Sequence, residues 1–491
     1  MDAELASLRA AADQGDRRAQ VGLGNRLLSE GGFGTSSFDE GLDWLTRAAE
    51  AGDAEAQWYL GCVHLQVTRL PDPFSTAARW FERAAAQEFA PAFDRLADLH
   101  LTGLGVPTDD AQAFKLIARG ARQGYPAALA TLGYLHTQGL GTPVDAHAAA
   151  RCHGQAAAVG HAPSYFALGL RAAVGAGIAR HRPFAHALLR RAADAEHPTA
   201  ASSAAALALD AQEAGAADEL YASLQRNYAE ANPLRARFAM APDALALASA
   251  REALERHFAA LGCGLSMGSD GRLDVDAAGA AGDDLRAPPV RFTARATSPR
   301  VSSQPGFATL EECAHFMALV SADLRDPSRY ARGHAYADAG LFDGEGVPLT
   351  PTNADPVVRY VERRTAAALA RPAADCEPFS VVRYLPGQQY KPHVDYFSAD
   401  QLALNRERFG DLAGQRLATF LIYLRAPDRG GGTRYLDAGL TVDGAHGMAV
   451  LHWNCQPDGA PDLRTRHAGL PVEAGEKWLA RKALRERAVF G

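Results

Sequence analysis

The residue pattern best suited to chemistry is His393-Val394-Asp395, the one H-x-D sequence among 16 histidines. Residues i and i+2 of a β-strand point to the same side, so a strand here would present an imidazole nitrogen and a carboxylate oxygen to one ion. A third ligand must come from further along the chain, where the candidates are His446, His452 and His467. Two histidines and one carboxylate form the facial triad that leaves positions open on iron(II). The pattern therefore predicts an iron site that can accept further ligands.

Four sequence blocks around these histidines share their spacing with a known enzyme family. The blocks are Y-x-x-G-Q-x-Y-x-x-H-x-D from Tyr384, G-x-R-x-x-T-x-x-x-Y-L from Gly414, G-G-x-T-x-Y from Gly430, and H-x-G-x-P-V-x-x-G-x-K-W from His467. From about Pro299 onward the chain resembles a prolyl 4-hydroxylase catalytic domain. In the third block Gly432 stands where the family often has an acid, and Tyr435 stands where it has phenylalanine. Both departures concern the shape of the pocket more than metal chemistry.

The resemblance implies which residues bind the metal and the cosubstrate. It makes His393, Asp395 and His467 the iron ligands. It makes Lys477 the cation for the distal carboxylate of 2-oxoglutarate, and Tyr423 a hydrogen-bond donor to that same carboxylate. Physical chemistry agrees about the lysine, because an ammonium in a largely dry barrel is a strong partner for a carboxylate. The implied cofactors are iron(II), 2-oxoglutarate and O2, with ascorbate expected in support.

Three further residues are expected in the pocket, and each has a plainer alternative. The resemblance gives Tyr384, Tyr390 and Arg416 catalytic roles near the cosubstrate or substrate. The tyrosines could instead be core residues with hydrogen-bonded hydroxyls, and Arg416 could form a structural ion pair. His452 is the serious substitute for His467 as third ligand, although a strand residue beside Leu451 and Trp453 is the plainer interpretation.

Short β-rich runs broken by glycine and proline surround these blocks. The clearest are residues 379–385, 418–424 and 448–453, preceded by helical stretches at residues 310–324 and 356–370. Helices followed by many short strands indicate a sandwich or jelly roll with helical support. We therefore expect a double-stranded β-helix (jelly-roll) oxygenase domain with supporting helices.

The first half of the chain contains an internal repeat. The motif A-A-x-x-G ends at Gly15, Gly52 and Gly160, and weaker copies end at Glu88, Gly124 and Glu196, so the step is 37 residues once and then 36. A Leu-Gly or Leu-Ala pair recurs in the same phase. These markers resemble Sel-one-like repeats, relatives of the tetratricopeptide repeat, over roughly residues 5–212. Stacked helix pairs of this kind build an α-solenoid, and the resemblance implies protein or peptide binding.

Histidines at equivalent repeat positions are not expected to bind a metal. His64, His100 and His136 are spaced by one repeat, which places them on different helix pairs. Packed helices lie about 10 Å apart, whereas ligands lie about 2 Å from an ion. We interpret them as structural positions.

Composition limits the remaining possibilities. A net charge of -7 gives no basic surplus for binding nucleic acid or anionic membrane. No apolar run approaches the roughly 20 residues that a membrane-spanning helix needs, and no secretory signal pattern is present at the start. The six cysteines are widely and irregularly spaced, which is typical of reduced thiols. We therefore expect a cytoplasmic protein that binds neither nucleic acid nor membrane.

Together these patterns predict an α + β multidomain protein. Its expected parts are a helical repeat array in residues 1–212, a helical cap and Gly/Asp/Ala-rich linker in residues 213–287, and the oxygenase domain in residues 288–491. The expected function is an iron(II)- and 2-oxoglutarate-dependent dioxygenase that hydroxylates a residue, by resemblance proline, in a protein or peptide recruited by the repeats. The alternative is a hydroxylase of a free amino acid or small metabolite, with the repeats used for assembly. A scaffold with an inactive oxygenase domain is the third hypothesis, and succinate formation would exclude it.

Overall fold

The computed structural model describes most of the chain in several stretches. They are residues 3–31, 34–67, 70–178, 182–194, 265–267, 273–275, 285–321, 324, 343–350, 354–403 and 414–489. The chain divides into two compact units, Met1–Ala128 with Thr350–Arg359, and Leu129–Leu349 with Tyr360–Gly491. The predicted boundary at residue 212 lies outside the described residues, and the three-part domain division stays a prediction.

The N-terminal part is a solenoid of α-helices. Its helices are α1 (Ala3–Asp13), α2 (Arg17–Glu30), α3 (Ser36–Glu50), α4 (Ala54–Gln66), α5 (Pro73–Ala86), α6 (Ala90–Thr102), α7 (Asp110–Arg122), α8 (Pro126–Gln138), α9 (Ala146–Ala158), α10 (Ala162–Val174) and α11 (Arg182–Asp194). Each helix from α1 to α6 packs on the next one within the first unit, and α9, α10 and α11 pack consecutively within the second. The predicted helical repeat array is thus confirmed.

The repeat motif has a direct structural cause. Gly52 of A-A-x-x-G lies in the turn between α3 and α4 with a φ of +94°, a conformation that side-chain-bearing residues rarely adopt. The next residue, Asp53, begins α4 by accepting a 2.8 Å hydrogen bond from the backbone N–H of Ala56. The Leu-Gly marker has a different cause, because a Cβ on Gly61 would lie 2.4 Å from the ring of Phe81. Glycine there lets α4 and α5 approach closely.

The C-terminal part is built mainly from β-strands. The strands are β1 (Leu265–Met267), β2 (Leu273–Val275), β3 (Thr293–Thr297), β4 (Arg300–Gln304), β5 (Glu345–Pro348), β6 (Ser380–Tyr384), β7 (Tyr390–His393), β8 (Arg416–Arg425), β9 (Arg429–Gly430), β10 (Thr433–Tyr435), β11 (Leu440–Val442), β12 (Ala449–Trp453), β13 (His467–Gly469), β14 (Val472–Ala474) and β15 (Lys477–Arg485). Helices α12 (Leu310–Val320) and α13 (Pro356–Leu369) accompany them. The predicted strands and helices of this region are therefore confirmed.

Two antiparallel sheets enclose the core of the oxygenase domain. The larger sheet has the order β3-β4-β12-β8-β15-β6-β5, and the smaller has the order β11-β10-β13-β7. One apolar cluster combines Leu421, Tyr423 and Leu479 of the larger sheet with Tyr435 and Val442 of the smaller one. The inner faces thus pack on each other, which is the expected jelly-roll architecture.

The second unit also contains a polar contact between the last repeats and α12. Glu312 is completely buried, and its carboxylate accepts hydrogen bonds from the Tyr134 hydroxyl of α8 at 2.6 Å and from Arg364 of α13 at 2.6 and 3.0 Å. Its neighbour Glu311 lies 3.3 Å from Arg171 of α10. Burial alone would raise the pKa of Glu311, but the charge of Arg171, with His153, lowers this pKa to about 2. These carboxylates therefore tie repeat helices to the oxygenase domain.

No helix among the described stretches is both long and apolar enough to cross a membrane.

Candidate metal centre

The three predicted ligands come together at one end of the smaller sheet. His393 ends β7, and His467 begins the neighbouring strand β13 directly opposite it. The carboxylate of Asp395 lies beside both rings, with Oδ1 3.5 Å from His393 Nε2 and Oδ2 3.7 Å from His467 Nε2. One ligand atom from each residue lies within 4.8 Å of the others, so the three side chains could bind a single ion.

The carboxylate of Asp395 is oriented by hydrogen bonds, and not by the strand alternation that the sequence suggested. Strand β7 ends at His393, so Asp395 lies beyond the regular strand and strand alternation does not orient it. Instead, Oδ2 accepts a 2.7 Å hydrogen bond from the Thr419 hydroxyl of β8 and lies 3.2 Å from His452 Nε2 of β12. Contacts with the opposite sheet therefore direct this carboxylate.

The chemistry of the two histidines fits a divalent metal. His393 Nδ1 lies 2.8 Å from the Lys391 carbonyl, and His467 Nδ1 lies 2.9 Å from the Thr465 carbonyl. A carbonyl can only accept, so each Nδ1 carries the hydrogen and each Nε2 keeps a free lone pair in the neutral ring. Burial lowers the pKa of His467 to about 3, which keeps its ring neutral. Neutral imidazole is the form that ligates metals.

Lys477 lies close to this centre without an anionic partner. It begins β15, and its side chain is 2% exposed. Its ammonium lies 5.3 Å from the ring centroids of both Tyr384 and Tyr423, and a Cβ on Gly469 of β13 would lie 3.6 Å from Nζ. Among the described residues no hydrogen-bond or ion-pair partner contacts this ammonium, and burial lowers the pKa of Lys477 to about 7. A buried cation of this kind suits a carboxylate ligand.

The predicted pocket tyrosines lie around the lysine and the histidines. Tyr390 stacks on His393 with a centroid separation of 3.7 Å, so its ring packs directly against a predicted ligand. Tyr384 is buried in the apolar cluster between the sheets. The hydroxyl of Tyr423 lies 2.7 Å from the Thr433 hydroxyl. A donor role of Tyr423 toward a bound carboxylate would therefore include Thr433 in the same hydrogen-bond chain.

Arg416 has a partner that the sequence did not identify. Its guanidinium donates two hydrogen bonds of 2.8 Å to Glu377, and Arg485 contacts the same carboxylate. Burial alone would raise the pKa of Glu377, but the charge of Arg416 holds it below its usual value. This geometry matches the ion-pair alternative, and a catalytic role for Arg416 stays a prediction.

A hydrogen-bonded layer behind the three predicted ligands was not expected from the sequence. It consists of Thr419, Tyr435, His452 and Asn454. Tyr435 lies 2.9 Å from His452 Nδ1, and the Asn454 amide donates to the Thr419 hydroxyl at 3.0 Å. The sequence feature that could have indicated this layer is Tyr435 in place of the family's phenylalanine, since a buried hydroxyl needs a hydrogen-bond partner.

Comparison with known proteins assigns the family. The family model of the 2OG-Fe(II) oxygenase superfamily matches residues 379–485, and the Sel1 repeat matches five segments between residues 17 and 197. Prolyl 4-hydroxylase 1 of Arabidopsis thaliana is 32% identical over 212 residues, which cover 39% of this chain and 70% of that relative. The chain belongs to the prolyl 4-hydroxylase family. This membership makes it a 2-oxoglutarate-dependent dioxygenase with iron(II), 2-oxoglutarate and O2 as the family's cofactor and cosubstrates.

Two further proteins that are named as prolyl hydroxylases are similar to part of this chain. Probable prolyl 4-hydroxylase 7 of Arabidopsis thaliana is 30% identical over 217 residues, covering 39% of this chain and 64% of the relative. The viral collagen prolyl hydroxylase of Paramecium Bursaria Chlorella virus-1, solved with 2OG, is 25% identical. That match covers 38% of this chain and 95% of the viral one, with a TM-score of 0.29.

Proposed function

We propose that this dioxygenase hydroxylates a prolyl residue in a protein or peptide that the repeat array recruits. The observation that carries the catalytic part is the placement of a buried lysine, with no polar partner in the described part of the chain, near a cluster of two histidines and one carboxylate. Such a pair of sites suits a metal and a dicarboxylate that reaches from the metal to the cation. The choice of proline is supported by the prolyl 4-hydroxylase relatives, and fold alone never fixes a substrate.

Each site residue then has a defined role. His393, Asp395 and His467 would bind iron(II), and Lys477 would bind the distal carboxylate of 2-oxoglutarate. When bound, iron(II) and 2-oxoglutarate supply the activation of O2 that inserts one oxygen atom into a C–H bond, with succinate and CO2 as coproducts. Tyr390, stacked on His393, would restrict how this ring turns.

The protein around the site mainly orients groups and excludes water. The inner faces of the two sheets supply apolar walls that include Leu421 and Leu479. A dry cavity strengthens the attraction between Lys477 and a carboxylate and protects reactive species from solvent. The substrate carbon would have to enter beside His393, whose side chain is 10% exposed and therefore reachable from outside.

A small-molecule hydroxylase is the second candidate, and one observation favours it. The repeats in the second unit bury Tyr134 and Arg171 against the carboxylates of α12. Repeats with this structural role need not recruit a substrate. The two candidate functions predict different substrates, a protein in the first case and a free small molecule in the second.

The experiment that separates them begins with purified protein, Fe(II), 2-oxoglutarate, ascorbate and a cell lysate. We expect mass spectrometry to find one added oxygen on a prolyl residue of a protein. The intact target and a short peptide around that residue are then compared as substrates. Recruitment by the repeats predicts a much lower KM for the intact target, because binding energy remote from the reacting carbon is lost with the peptide. Equal KM values would contradict recruitment, and modification of a free metabolite alone would favour the second candidate.

Two accompanying proposals concern the conditions of the reaction. We propose that ascorbate supports turnover, as the family resemblance implies, and that the protein works in a reducing cytoplasm. Support for the second comes from the wide and irregular spacing of its six cysteines. Succinate formation with and without ascorbate tests the first, and fractionation of the source cells tests the second.

A further inference from the structure

A buried hydrogen-bond chain ends on the carboxylate of Asp395. It begins at Tyr435 of β10, whose hydroxyl lies 2.9 Å from Nδ1 of His452, and His452 Nε2 lies 3.2 Å from Asp395 Oδ2. A second branch runs from the Asn454 amide to the Thr419 hydroxyl at 3.0 Å, and from that hydroxyl to the same Oδ2 at 2.7 Å. Tyr435 and His452 have no solvent exposure. Both branches therefore act on one oxygen atom.

Which group donates in each hydrogen bond follows from the two residues at the ends of this chain of contacts, Asp395 and Tyr435. An ionised carboxylate only accepts, so Nε2 of His452 must carry a hydrogen and donate it to Asp395. In the neutral ring Nδ1 is then an acceptor, and the partner that donates to it is the Tyr435 hydroxyl. Tyr435 keeps its proton, because burial raises the pKa of its hydroxyl well above the ordinary value. Tyr435 thus selects the imidazole tautomer that can donate to Asp395.

We propose that Tyr435 and His452 are a positioning pair for Asp395: their hydrogen bond engages Oδ2 and orients the carboxylate, so that Oδ1 is left to ligate the metal. Oδ1 lies 3.5 Å from His393 Nε2 and has neither of these hydrogen bonds, whereas Oδ2, 3.7 Å from His467 Nε2, is contacted by both His452 and Thr419. A carboxylate with both oxygens free could ligate through both, and would then occupy a coordination position that the cosubstrates need. The pair is not itself in the reaction, and its effect passes entirely through Asp395. The proposal rests on the proposed metal site.

Metal binding by the full chain, without cosubstrate, tests the pair directly. Outer hydrogen-bond partners of metal ligands typically contribute about 10- to 100-fold in metal affinity. We expect His452→Leu to raise the Kd for Co(II) about 10- to 100-fold, and Tyr435→Phe to raise it by less, about tenfold at most. His452→Gln should recover most of the affinity, since its amide N–H can donate to Asp395 while its carbonyl accepts from Tyr435.

Two further measurements distinguish positioning from a purely structural role. Urea denaturation of the metal-free variants reports stability, and the visible spectrum of bound Co(II) reports a change in the number of ligating oxygens. Val450→Ala is the matched control, because Val450 lies on the same strand in the apolar cluster and its side chain has no hydrogen-bonding group to offer Asp395. It should lower stability, yet leave the Co(II) affinity and spectrum unchanged.

The outcomes separate this proposal from the one on which it rests. Folded His452→Leu with unchanged Co(II) affinity and spectrum would overturn the positioning role, as would a His452→Gln variant that is no better than His452→Leu. Equal effects of Val450→Ala and His452→Leu on the affinity would overturn it too. If Asp395→Ala and His467→Ala also retained full Co(II) affinity, the metal site and the positioning pair would both be wrong.

Discussion

At the level of single residues, the hydrogen bonds of three histidines around Asp395 distinguish their roles. His393 and His467 each direct Nδ1 at a backbone carbonyl and Nε2 at the carboxylate side of the site. His452 has both nitrogens beside side-chain oxygens, those of Tyr435 and Asp395. The first two therefore have a lone pair to offer to a metal, whereas the third does not. This distinction supports His467, and not His452, as the third ligand.

The first prediction tests that assignment. His467→Ala should lower Fe(II) affinity by at least about 100-fold, since two remaining ligands bind the ion poorly, and succinate formation should be lost. His393→Ala and Asp395→Ala should behave alike, whereas His446→Ala, which lies outside the cluster, should bind metal normally. Anaerobic equilibrium dialysis measures the affinity. Retained turnover in His467→Ala would identify another third ligand.

The second prediction concerns the buried lysine. Lys477→Ala should raise the Kd for 2-oxoglutarate about 10- to 100-fold, because a hydrogen bond to a charged group contributes about 1.5 to 3 kcal/mol. Fe(II) affinity should change little, since the lysine is not among the clustered metal ligands. Titration calorimetry of 2-oxoglutarate into the Co(II)-loaded chain gives this Kd, anaerobic equilibrium dialysis gives the Fe(II) affinity, and the exposed Lys115→Ala is the control. An unchanged Kd would place the carboxylate elsewhere.

The third prediction follows from the pKa of the same lysine. Burial lowers this pKa to about 7, so the free chain loses the ammonium as the pH rises through about 7. Binding of a dianion should therefore be strongest below this value and weaken with rising pH, at most about tenfold per pH unit. Measured from about pH 6 to about pH 9, Lys477→Arg should flatten the profile, since a guanidinium stays charged. A flat profile in the unaltered chain would contradict the lowered pKa of Lys477, and the Kd of Lys477→Ala remains the test of its role.

At the level of elements, α12 connects the repeats to the oxygenase sheets. Its first turn forms a capping box in which Thr309 and Glu312 exchange side-chain and backbone hydrogen bonds. The same Glu312 carboxylate accepts hydrogen bonds from the Tyr134 hydroxyl and the Arg364 guanidinium. One buried side chain therefore begins the helix and connects it to α8 and α13. Its four hydrogen bonds explain how a carboxylate is tolerated without solvent.

The fourth prediction tests this contact. Glu312→Gln should lower the free energy of unfolding by about 3 to 5 kcal/mol, because it leaves the buried guanidinium of Arg364 without a counter-charge. Tyr134→Phe should cost less, about 1.5 to 3 kcal/mol. The control is Glu473→Gln, whose ion pair with Arg429 involves side chains that are 61% and 73% exposed and should contribute less than about 1 kcal/mol. Urea denaturation measures all three, and equal losses for Glu312→Gln and Glu473→Gln would refute the argument.

At the level of the whole chain, the repeats share buried contacts with segments of the oxygenase part in both compact units. In the first unit, Arg95 of α6 donates a 2.8 Å hydrogen bond to the carbonyl of Ala354. In the second, Ala314 of α12 lies in one apolar cluster with residues of α10 and α11. Deleting the repeats would therefore remove structural contacts together with any binding surface. Comparing an intact target with a short peptide leaves the enzyme itself unchanged, so a difference in KM cannot come from lost structural contacts.

The fifth prediction states what such a deletion should do. A fragment of residues 288–491 retains the apolar cluster between the two sheets, since all its residues lie after position 300 except Ala296. It should still bind metal, but it should unfold at a lower urea concentration because Glu311 and Glu312 lose Arg171 and Tyr134. Native-state hydrogen exchange of the β8 amides compares the fragment with the full chain. Identical exchange in both would show that the repeats do not stabilise the oxygenase sheets.

By itself, the amino-acid sequence determined the repeat solenoid and the jelly-roll domain, and it predicted as metal ligands three side chains that the structure brings together. These features rest on local information: a fixed repeat step, alternation along strands, and motifs in which residue type and spacing carry the chemistry. Only the tertiary structure decided that Arg416 pairs with Glu377, that Thr419 and His452 direct Asp395, and that Glu312 meets Tyr134. The partners in these contacts lie between 24 and 178 positions apart in the chain. A side chain's polar partner at such separation depends on how sheets and helices pack, and no local pattern specifies it.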